Sequence, residues 1–283
     1  MSTPCVNDTL LVYAVHSRWG AIDRSGRFAV PAEYSEMGHF CEGLVAARVG
    51  GEQEERPGLY GPPPVVGGKW GFVDARGKMI IPPKFDDARG FCEGLAAVNL
   101  GAGIEFHWPY SPKARGKWGM IDKEGGIRVP VRYDAIGSFK GGLVAVKTDG
   151  RWGFVDGGGQ TVIEPRFHET RDFYGDVALV KTHEGWRLMS NSGQFLSRVG
   201  LEDARDFSEG LAPVRAGTKW GFLDVAGQVA IQPRFDDASQ FSEGLAAVSL
   251  GGAYGFINPR GDIEIKPRFR KAKHFANGLA KVV

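Results

Sequence analysis

The stretch that decides the fold is Lys69-Trp70-Gly71-Phe72-Val73-Asp74-Ala75-Arg76-Gly77. It predicts a β-strand, a tight turn and the start of a second strand, because apolar residues precede an Asp-x-x-Gly turn signal. The aromatic residue at its centre recurs along the chain, and the last four steps between copies are each 34 residues long. A fixed period of this length is typical of a repeat architecture. The copies are centred on Trp19, Trp70, Trp118, Trp152, Trp186, Trp220 and Tyr254, which we predict to form the structural core of the repeats.

Each copy predicts three short strands. Strand A is an apolar run such as Leu95–Val98, strand B carries Trp-Gly, and strand C precedes a proline such as Pro82. A linker of about ten residues with two aromatics, such as Phe85 and Phe91, then leads to the next strand A. The strands are apolar on both faces, so we expect small antiparallel sheets stacked face to face, with the linker aromatics between them.

These expectations define an all-β fold of seven tandem repeats in a single domain over residues 1–283. We favour a closed, seven-bladed ring like a β-propeller, because closure hides both end faces, and an open β-solenoid is the alternative. Strand A occurs eight times and the B–C hairpin seven times, which favours the open form. The repeats span approximately residues 10–43, 44–94, 95–142, 143–176, 177–210, 211–244 and 245–283.

The turn between strands B and C carries an acid or amide at its first position and glycine at its fourth. This pattern is typical of a type I turn, in which the side chain caps a backbone N–H and glycine adopts a positive φ. We therefore interpret the row of aspartates as structural and not catalytic. The turn residues are Asp23, Asp74, Asp122, Asp156, Asp224 and Asn258, with Gly26, Gly77, Gly125, Gly159, Gly193, Gly227 and Gly261.

The recurring pattern Lys/Arg-Trp-Gly-Phe-x-Asp-x-x-Gly, followed by Ile-x-Pro-Lys/Arg-Phe-Asp and Phe-x-Glu-Gly-Leu-Ala, resembles the WG-repeat family, also called KWG repeats, found mainly in bacteria. The resemblance covers residues 10–283. It implies a β-rich array that serves as an interaction module, and it supplies no catalytic residues. The fifth copy departs most, with Arg187 for the glycine, Ser190 for the aspartate and Arg198 near the usual proline. We expect less regular packing there.

Composition narrows the class of function. The formal net charge is only +2, far from the strongly basic balance of a dedicated nucleic-acid binder. Cys41 and Cys92 share one repeat position that other copies fill with Lys, Tyr, Ser or Ala, so we expect neither a disulfide nor a metal pair there. A sparse, odd cysteine count suits a reducing compartment, and Leu10–Val15 is too short to be a signal or spanning segment. We expect a cytoplasmic protein that does not bind a membrane.

Two insertions break the period, at residues 50–68 and 101–116. Both fall in the A–B hairpin of successive repeats, so we expect them to project from one rim as neighbours. Function in repeat proteins is often located in such insertions. The alternative is neutral variation in length. The aromatic and imidazole side chains that we predict to contact a partner are Tyr60, Phe106, His107, Trp108 and Tyr110.

A basic segment lies near the end of the sequence. Its candidate contacts for an acidic partner or phosphates are Arg268, Arg270, Lys271 and Lys273, with a solvated edge as the alternative. In other repeats, too, a basic residue precedes the first linker aromatic. In a closed ring these residues would form a circle, but we expect them to pair with acids such as Asp86 or Glu93. They are Lys84, Arg132, Arg166, Arg234 and Arg268.

No motif for metal binding, nucleophilic catalysis or phosphate cradling is present in the sequence. We therefore predict no cofactor and no enzymatic activity. The leading hypothesis is a scaffold that binds another protein through the rim that carries the insertions. The alternative is a glycan or small-ligand binder that uses aromatics between sheets, as lectin-like repeat proteins do. An enzyme with residues gathered at a central opening is a third class, which no sequence feature favours.

Overall fold

The structure is a computed structural model that describes residues 11–15, 18–53, 65–101, 104–105, 113–114, 116–197 and 200–283. All regular secondary structure in these residues is β-strand, as the sequence predicts. The chain divides into two compact units. The N-terminal unit contains the residues up to 150 together with 154–161, and the C-terminal unit contains residues 151–153 and 162–283. Closure of the repeats into a ring stays a prediction.

The strands up to residue 156 are β1 (Leu11–Val15), β2 (Arg18–Ile22), β3 (Phe28–Tyr34), β4 (Glu36–Met37), β5 (Leu44–Val49), β6 (Glu52–Gln53), β7 (Val65–Val66), β8 (Lys69–Asp74), β9 (Met79–Phe85), β10 (Asp87–Cys92), β11 (Leu95–Leu100), β12 (Ile104–Glu105), β13 (Lys113–Ala114), β14 (Lys117–Ile121), β15 (Ile127–Tyr133), β16 (Ala135–Lys140), β17 (Leu143–Thr148) and β18 (Arg151–Asp156). The remaining strands are β19 (Thr161–Phe167), β20 (Glu169–Thr170), β21 (Val177–Thr182), β22 (Gly185–Ser190), β23 (Asp203–Ala204), β24 (Leu211–Ala216), β25 (Lys219–Asp224), β26 (Val229–Phe235), β27 (Asp237–Ala238), β28 (Ala246–Leu250), β29 (Ala253–Ile257), β30 (Ile263–Phe269), β31 (Ala272–Ala276) and β32 (Leu279–Val282).

Seven small sheets follow one another along the chain, and we number them 1 to 7. Their strand orders are β1-β2-β3, β4-β5-β8-β9, β10-β11-β14-β15, β16-β17-β18-β19, β20-β21-β22, β23-β24-β25-β26 and β27-β28-β29-β30. The strands β31 and β32 pair as a hairpin after sheet 7, and each of the pairs β6-β7 and β12-β13 forms a short ribbon. The hydrogen-bonded pairing is antiparallel, for example between β11 and β14.

The linker contributes more than the sequence analysis expected. We predicted a segment that only fills the space between sheets, but it supplies the first strand of sheets 2 to 7. In sheet 3 this strand is β10, which pairs with β11. A Glu-Gly turn joins the two strands, with Glu93 at φ 49° and Gly94 at φ 83°. The linker can form a strand because its backbone groups reach the free edge of strand A.

Sheets 2, 3 and 6 each bury both faces against neighbouring sheets of the same unit. In strand β5, Leu44 and Ala46 pack into the core with residues of sheet 3, whereas Val45 and Ala47 pack with sheet 1. This alternation follows from the period of two along a strand. Further cores lie between sheets 3 and 4 in the N-terminal unit, and between sheets 5 and 6 and sheets 6 and 7 in the C-terminal unit. The predicted face-to-face stacking is therefore present.

In several repeats, the phenylalanine two residues after the tryptophan or its tyrosine equivalent packs against an aromatic ring of the linker. Phe72 is fully buried, and its ring meets that of the linker residue Phe91 edge-on, with 4.9 Å between centroids. Phe222 and Phe241 form the equivalent pair in the C-terminal unit. Aromatic pairs of this kind contribute about 0.5–1.5 kcal/mol beyond area burial. The second linker aromatic is thus the plug between sheets that the sequence predicts.

The glycine of Trp-Gly is required by a close approach of strand C. A Cβ added at Gly71 would lie 2.5 Å from the carbonyl oxygen of Ile81 and 2.9 Å from the nitrogen of Pro83. The pairing jumps here from Phe72–Ile81 to Trp70–Phe85, so strand C bulges at its prolines opposite the glycine. Strand C lies at the edge of its sheet, where proline is tolerated. The same crossing recurs at Gly20, Gly119, Gly153, Gly221 and Gly255.

The fifth copy lacks this crossing. Arg187 replaces the glycine, and residues 194–197 form isolated contacts in place of a full strand C, including a bridge between Met189 and Phe195. The Arg187 guanidinium instead donates a hydrogen bond to the Ser197 carbonyl at 3.1 Å. Sheet 5 accordingly has three strands, as the departures in sequence lead one to expect.

The cysteine expectation requires a correction. Cys41 is disulfide-bonded, and this bond does not involve Cys92. Sequence reasoning compared the two cysteines only with each other and with their repeat equivalents. Aligning the repeats does not show which other segment of the chain lies beside Cys41. A disulfide forms only where such a segment brings a second cysteine close.

We predict that Gly71→Ala lowers the free energy of unfolding by about 1–3 kcal/mol, because the added carbon overlaps backbone atoms that cannot turn away. Urea unfolding followed by tryptophan fluorescence measures the change. Gly38→Ala is the matched control, since its Cβ would meet only the Ala46 carbonyl oxygen at 3.7 Å. Equal losses for the two variants would show that strand C does not cross Gly71 closely.

Candidate functional site

The turn aspartates bond their own turns. Asp74 Oδ1 accepts hydrogen bonds from the backbone N–H groups of Arg76 and Lys78, both at 2.9 Å, and Gly77 adopts φ 80°. Asp23, Asp122, Asp156, Asp224 and Asn258 accept the same two bonds. In the fifth copy, the Ser190 hydroxyl accepts a bond from Gln194 N–H at 3.2 Å. These carboxylates are occupied by local backbone and do not converge on a shared site. All seven glycines of the turn position have positive φ.

In three repeats, a lysine–aspartate pair ties the hairpin to its linker. Lys117 Nζ contacts Asp134 Oδ1 at 2.5 Å, and Lys219 Nζ contacts Asp236 Oδ1 at 2.5 Å. The second oxygen of Asp236 accepts a hydrogen bond from the Gly251 N–H in the following A–B turn at 2.7 Å. The lysine before Trp-Gly is therefore part of the framework that holds the hairpin ends, and Lys69 pairs with Asp86 in the same way.

A glutamate connects successive repeats. Glu243 lies in a Glu-Gly turn at φ 55°, and its carboxylate accepts bonds from the N–H groups of Asn277 and Gly278 in the next turn of the same kind, at 2.6 and 2.8 Å. Glu42 binds Gly94 and Glu93 binds Gly141 similarly. Positive φ is uncommon for glutamate. The bond to the next repeat gives a physical reason for a residue that the sequence analysis left unexplained.

Four of the seven predicted core aromatics are only half-buried. Trp118, Trp186 and Trp220 are buried, whereas Trp19, Trp70, Trp152 and Tyr254 are half-buried. Several rings support an arginine from the linker. Arg89 lies 4.7 Å from the Trp118 centroid, and its Nη1 donates to the Ile136 carbonyl of sheet 4 at 2.9 Å. Arg171 and Arg205 stack on Trp186 and Trp220 and reach the next sheet in the same way.

The two insertions leave adjacent sheets at equivalent places. The first joins β5 to β8 in sheet 2, and the second joins β11 to β14 in sheet 3. Sheets 6 and 7 close the same hairpin with two residues, since Ala216 pairs with Lys219 and Leu250 pairs with Ala253. We call the hairpin ends of sheets 2 and 3, residues 48–53, 65–69, 99–101 and 116–118, the insert edge.

The base of the first insertion is held by buried polar groups. Arg48 is 7% exposed, and its Nη1 contacts Glu36 Oε2 at 2.7 Å and donates to the Val65 carbonyl at 3.0 Å. The hydroxyl of Ser35, itself buried, donates to the Gly50 carbonyl at 2.5 Å. Both strands of the insertion's base are thus bonded to sheet 2. Tyr60, Phe106, His107, Trp108 and Tyr110, which the sequence predicts to bind a partner, lie outside the described residues.

A known family of repeat sequences matches the chain seven times. The family model described as "WG containing repeat" matches residues 19–52, 70–102, 118–152, 152–186, 186–220, 220–252 and 254–283. The chain belongs to the WG repeat family. No curated protein matches the chain in sequence. The Trp-Gly of the family name is the crossing point of strands B and C.

Solved structures resemble the WG repeat chain only in fold. The crystal structure of a eukaryotic initiation factor aligns with a TM-score of 0.55 and 13% identity, over 94% of this chain and 76% of that one. The structure of Hsv2p from Kluyveromyces lactis aligns with a TM-score of 0.44 and 10% identity, over 77% and 71%. These structural neighbours are propeller-like proteins. At such low identity, the likeness to the initiation factor concerns the fold alone.

The basic segment near the end of the WG array is exposed. Arg268, Arg270, Lys271 and Lys273 all lie at the surface. The backbone of Arg270 is fixed by a hydrogen bond from its N–H to the Val283 carbonyl at 2.6 Å. Arg270 stands at the repeat position that Asp86 and Asp236 occupy elsewhere, so the charge at this position is reversed in the last copy.

The basic residues before the first linker aromatic stack on that aromatic. Arg234 lies 5.0 Å from the centroid of Phe235 and donates to the Gly261 carbonyl at 2.6 Å. We expected partners such as Asp86 or Glu93, but Asp86 binds Lys69 and Glu93 binds a backbone N–H. The residues that stack in this way are Lys84, Arg132, Arg166, Arg234 and Arg268.

Two classes of feature are absent from the part of the chain that the structure describes. No cluster of three or more His, Cys, Asp or Glu side chains there could hold a metal ion. Those residues also include no helix of the length and apolarity needed to cross a membrane.

We predict that Lys219→Gln raises the pKa of Asp236 toward its ordinary value of 3.8, because the Lys219 hydrogen bond is the main cause that lowers this pKa, followed by the Gly251 N–H. Titration of the Asp236 carboxyl carbon by NMR measures the shift. Since the pKa is lower in the folded state, the carboxylate stabilises the fold above about pH 3.8, and this contribution is lost as pH falls through the folded pKa.

The control is Lys281→Gln, which removes the same charge from another strand of the C-terminal unit. An Asp236 pKa that is unchanged in Lys219→Gln would contradict the pairing.

Proposed function

We propose that this WG repeat protein is a non-enzymatic scaffold that binds another protein through its insert edge. The observation that carries the proposal is that two long insertions leave equivalent hairpins of adjacent sheets, and that buried polar groups anchor the base of the first one to sheet 2. The other hairpins of the same class close in two residues, so the added chain is not needed to complete a sheet.

The polar residues of the repeat support a role in architecture. The turn aspartates bond their own turns, the lysines pair with linker aspartates, and the glutamates bond the next repeat. A catalytic group must be able to reach a substrate with its reactive atoms. Side chains committed to structural bonds of these kinds are poorly suited to that task. Function in a repeat array is then expected where the repeat is broken.

The insert edge also suits recognition of a protein. Sheets form a rigid platform, and loops on rigid platforms commonly carry binding residues. The insertions contain Tyr60, Trp108 and Tyr110. Large aromatic side chains are enriched at the centres of protein–protein interfaces, where they bury much area with few rotatable bonds.

We predict that replacing residues 50–68 and 101–116 each with Asp-Gly abolishes partner binding and leaves the fold intact. Asp-Gly forms two-residue hairpins readily, and the chain itself uses Asp149-Gly150 between β17 and β18. The measurement is affinity capture from native lysate with quantitative mass spectrometry, followed by the dissociation constant of the recovered partner with purified protein.

The matched control replaces Gly217-Thr218, the two-residue turn of sheet 6, with Asp-Gly. We expect it to retain the partner, because that hairpin carries no insertion. If the doubly trimmed protein melts like the parent and binds the same partner with equal affinity, the insert edge is not the binding surface.

A further inference from the structure

A cavity of about 710 Å3 opens on the linker strands of the N-terminal unit, in a part of the repeat separate from the insert edge. Three successive linkers contribute to its wall, through Gly38 and His39, Gly90, and Gly137 and Ser138. Its size falls within the range of roughly 300–1,000 Å3 that is typical of small-molecule sites.

Small residues open this cavity. In the C-terminal unit the same two repeat positions hold Arg171-Asp172, Arg205-Asp206 and Ser239-Gln240. There the side chains interlock, with Arg171 Nε 3.6 Å from Asp206 Oδ1 and Gln240 Nε2 donating to the Asp206 carbonyl at 3.0 Å. In the N-terminal unit the corresponding pairs are Gly38-His39, Arg89-Gly90 and Gly137-Ser138.

Backbone geometry does not require the glycines at these positions. Gly38 and Gly90 are not among the described glycines with positive φ. A Cβ at Gly38 would meet only the Ala46 carbonyl oxygen at 3.7 Å, and one at Gly90 would meet only Cys41, at 3.6 Å. Both distances are ordinary van der Waals contacts, in contrast to the overlap at Gly71. The main effect of glycine at these two positions is therefore to leave the cavity unfilled.

The chemistry of the wall is apolar and cationic. Aromatic and aliphatic surface comes from Trp70, Leu95, Met120 and Phe139, and the charged side chains are Arg89 and Lys140. No Asp or Glu and no Asn or Gln is among the lining residues. Arg89 is held in place by its stacking on Trp118 and its bond to the Ile136 carbonyl.

We propose that this cavity binds a small molecule with an apolar body and one anionic head, a carboxylate or a phosphate monoester. The apolar wall receives the body, and Lys140 and Arg89 supply charge-assisted hydrogen bonds to the head. Sugars fit this wall poorly, because their many hydroxyl groups need side-chain acceptors, and the wall offers His39 and Ser138 but no carboxylate or amide. The proposal does not depend on the insert edge, which shares no residue with this wall.

The test measures binding of decanoate, decyl phosphate and decanol to the full chain by isothermal titration calorimetry, below the concentrations at which they form micelles. We expect one of the two anions or both to bind with a stoichiometry of one, and decanol to bind at least about tenfold more weakly, since it lacks the charge. A difference between the two anions identifies the head group.

Two pairs of variants locate the site. Lys140→Gln should weaken anion binding at least about tenfold, whereas Lys78→Gln, which removes an exposed charge outside the cavity wall, should leave it within about twofold. Gly90→Gln fills the cavity with the residue that Gln240 places at this repeat position, and it should abolish binding. Gly90→Ala is its matched control and should retain binding.

Thermal melts show whether each variant folds. If Gly90→Gln does not fold, Gly38→Gln takes its place as the variant that fills the cavity. Absence of binding by both anions, equal binding of decanol, or full binding to a folded, filled variant would each overturn the proposal. The protein with trimmed insertions should still bind the anion, so failure of the scaffold proposal and failure of this one are distinguishable.

Discussion

The close crossing of strand C over the Trp-Gly glycine is the constraint on which the rest of the structure depends. A side chain at this point would place a Cβ 2.3–2.6 Å from a backbone carbonyl oxygen in six of the copies. The crossing lets strand C bulge at its prolines and return to pair Trp70 with Phe85. That return places Phe85 in the core between two sheets, where it packs with Phe72 and Phe91. The Trp-Gly motif thus supplies the glycine of this close contact, and the Ile-x-Pro motif supplies the carbonyl oxygen.

Polar contacts then fix the order of the sheets within each unit. The glutamate of one Glu-Gly turn bonds the next such turn, and linker arginines stacked on tryptophan reach carbonyl groups of the following sheet. Both contacts repeat with the period of the sequence. Most of the residues that recur from repeat to repeat therefore have a structural role. Our proposals therefore place specific binding where the copies differ, namely at the insertions and at the glycine-lined linkers of the N-terminal unit.

Much of the fold could be predicted from the sequence because it depends on local signals. Apolar runs with a period of two, Asp-x-x-Gly turns and a 34-residue spacing indicate hairpins and repeats without any knowledge of tertiary contacts. The less regular, three-stranded fifth sheet could likewise be predicted from Arg187 and Ser190. The linker strand was missed because its Gly and Asp residues have low strand propensity, and its pairing is decided by the free edge of strand A.

The candidate sites were less predictable. The Glu-Gly turn at Glu243 was a usable sequence signal. Asn or Asp is favoured at positive φ in a tight two-residue turn, so a glutamate there suggests that its side chain has a partner elsewhere. The cavity could not be found from one repeat alone. It emerges only when Gly38 and Gly137 are compared with Arg205, and Gly90 with Asp206, at the equivalent positions of another repeat. The three glycines are then seen to line one space. Residues 106–110 lie outside the described residues, so their role stays a prediction.

A crystal structure that resolves backbone carbonyl groups tests the central claim most directly. The account predicts that the carbonyl oxygen of Ile81 and its equivalents points at the Trp-Gly glycine, with strand C bulged at its prolines, in every copy except the fifth. Regular, unbulged pairing of strand C with strand B, with room for a methyl group at the glycine, would contradict it.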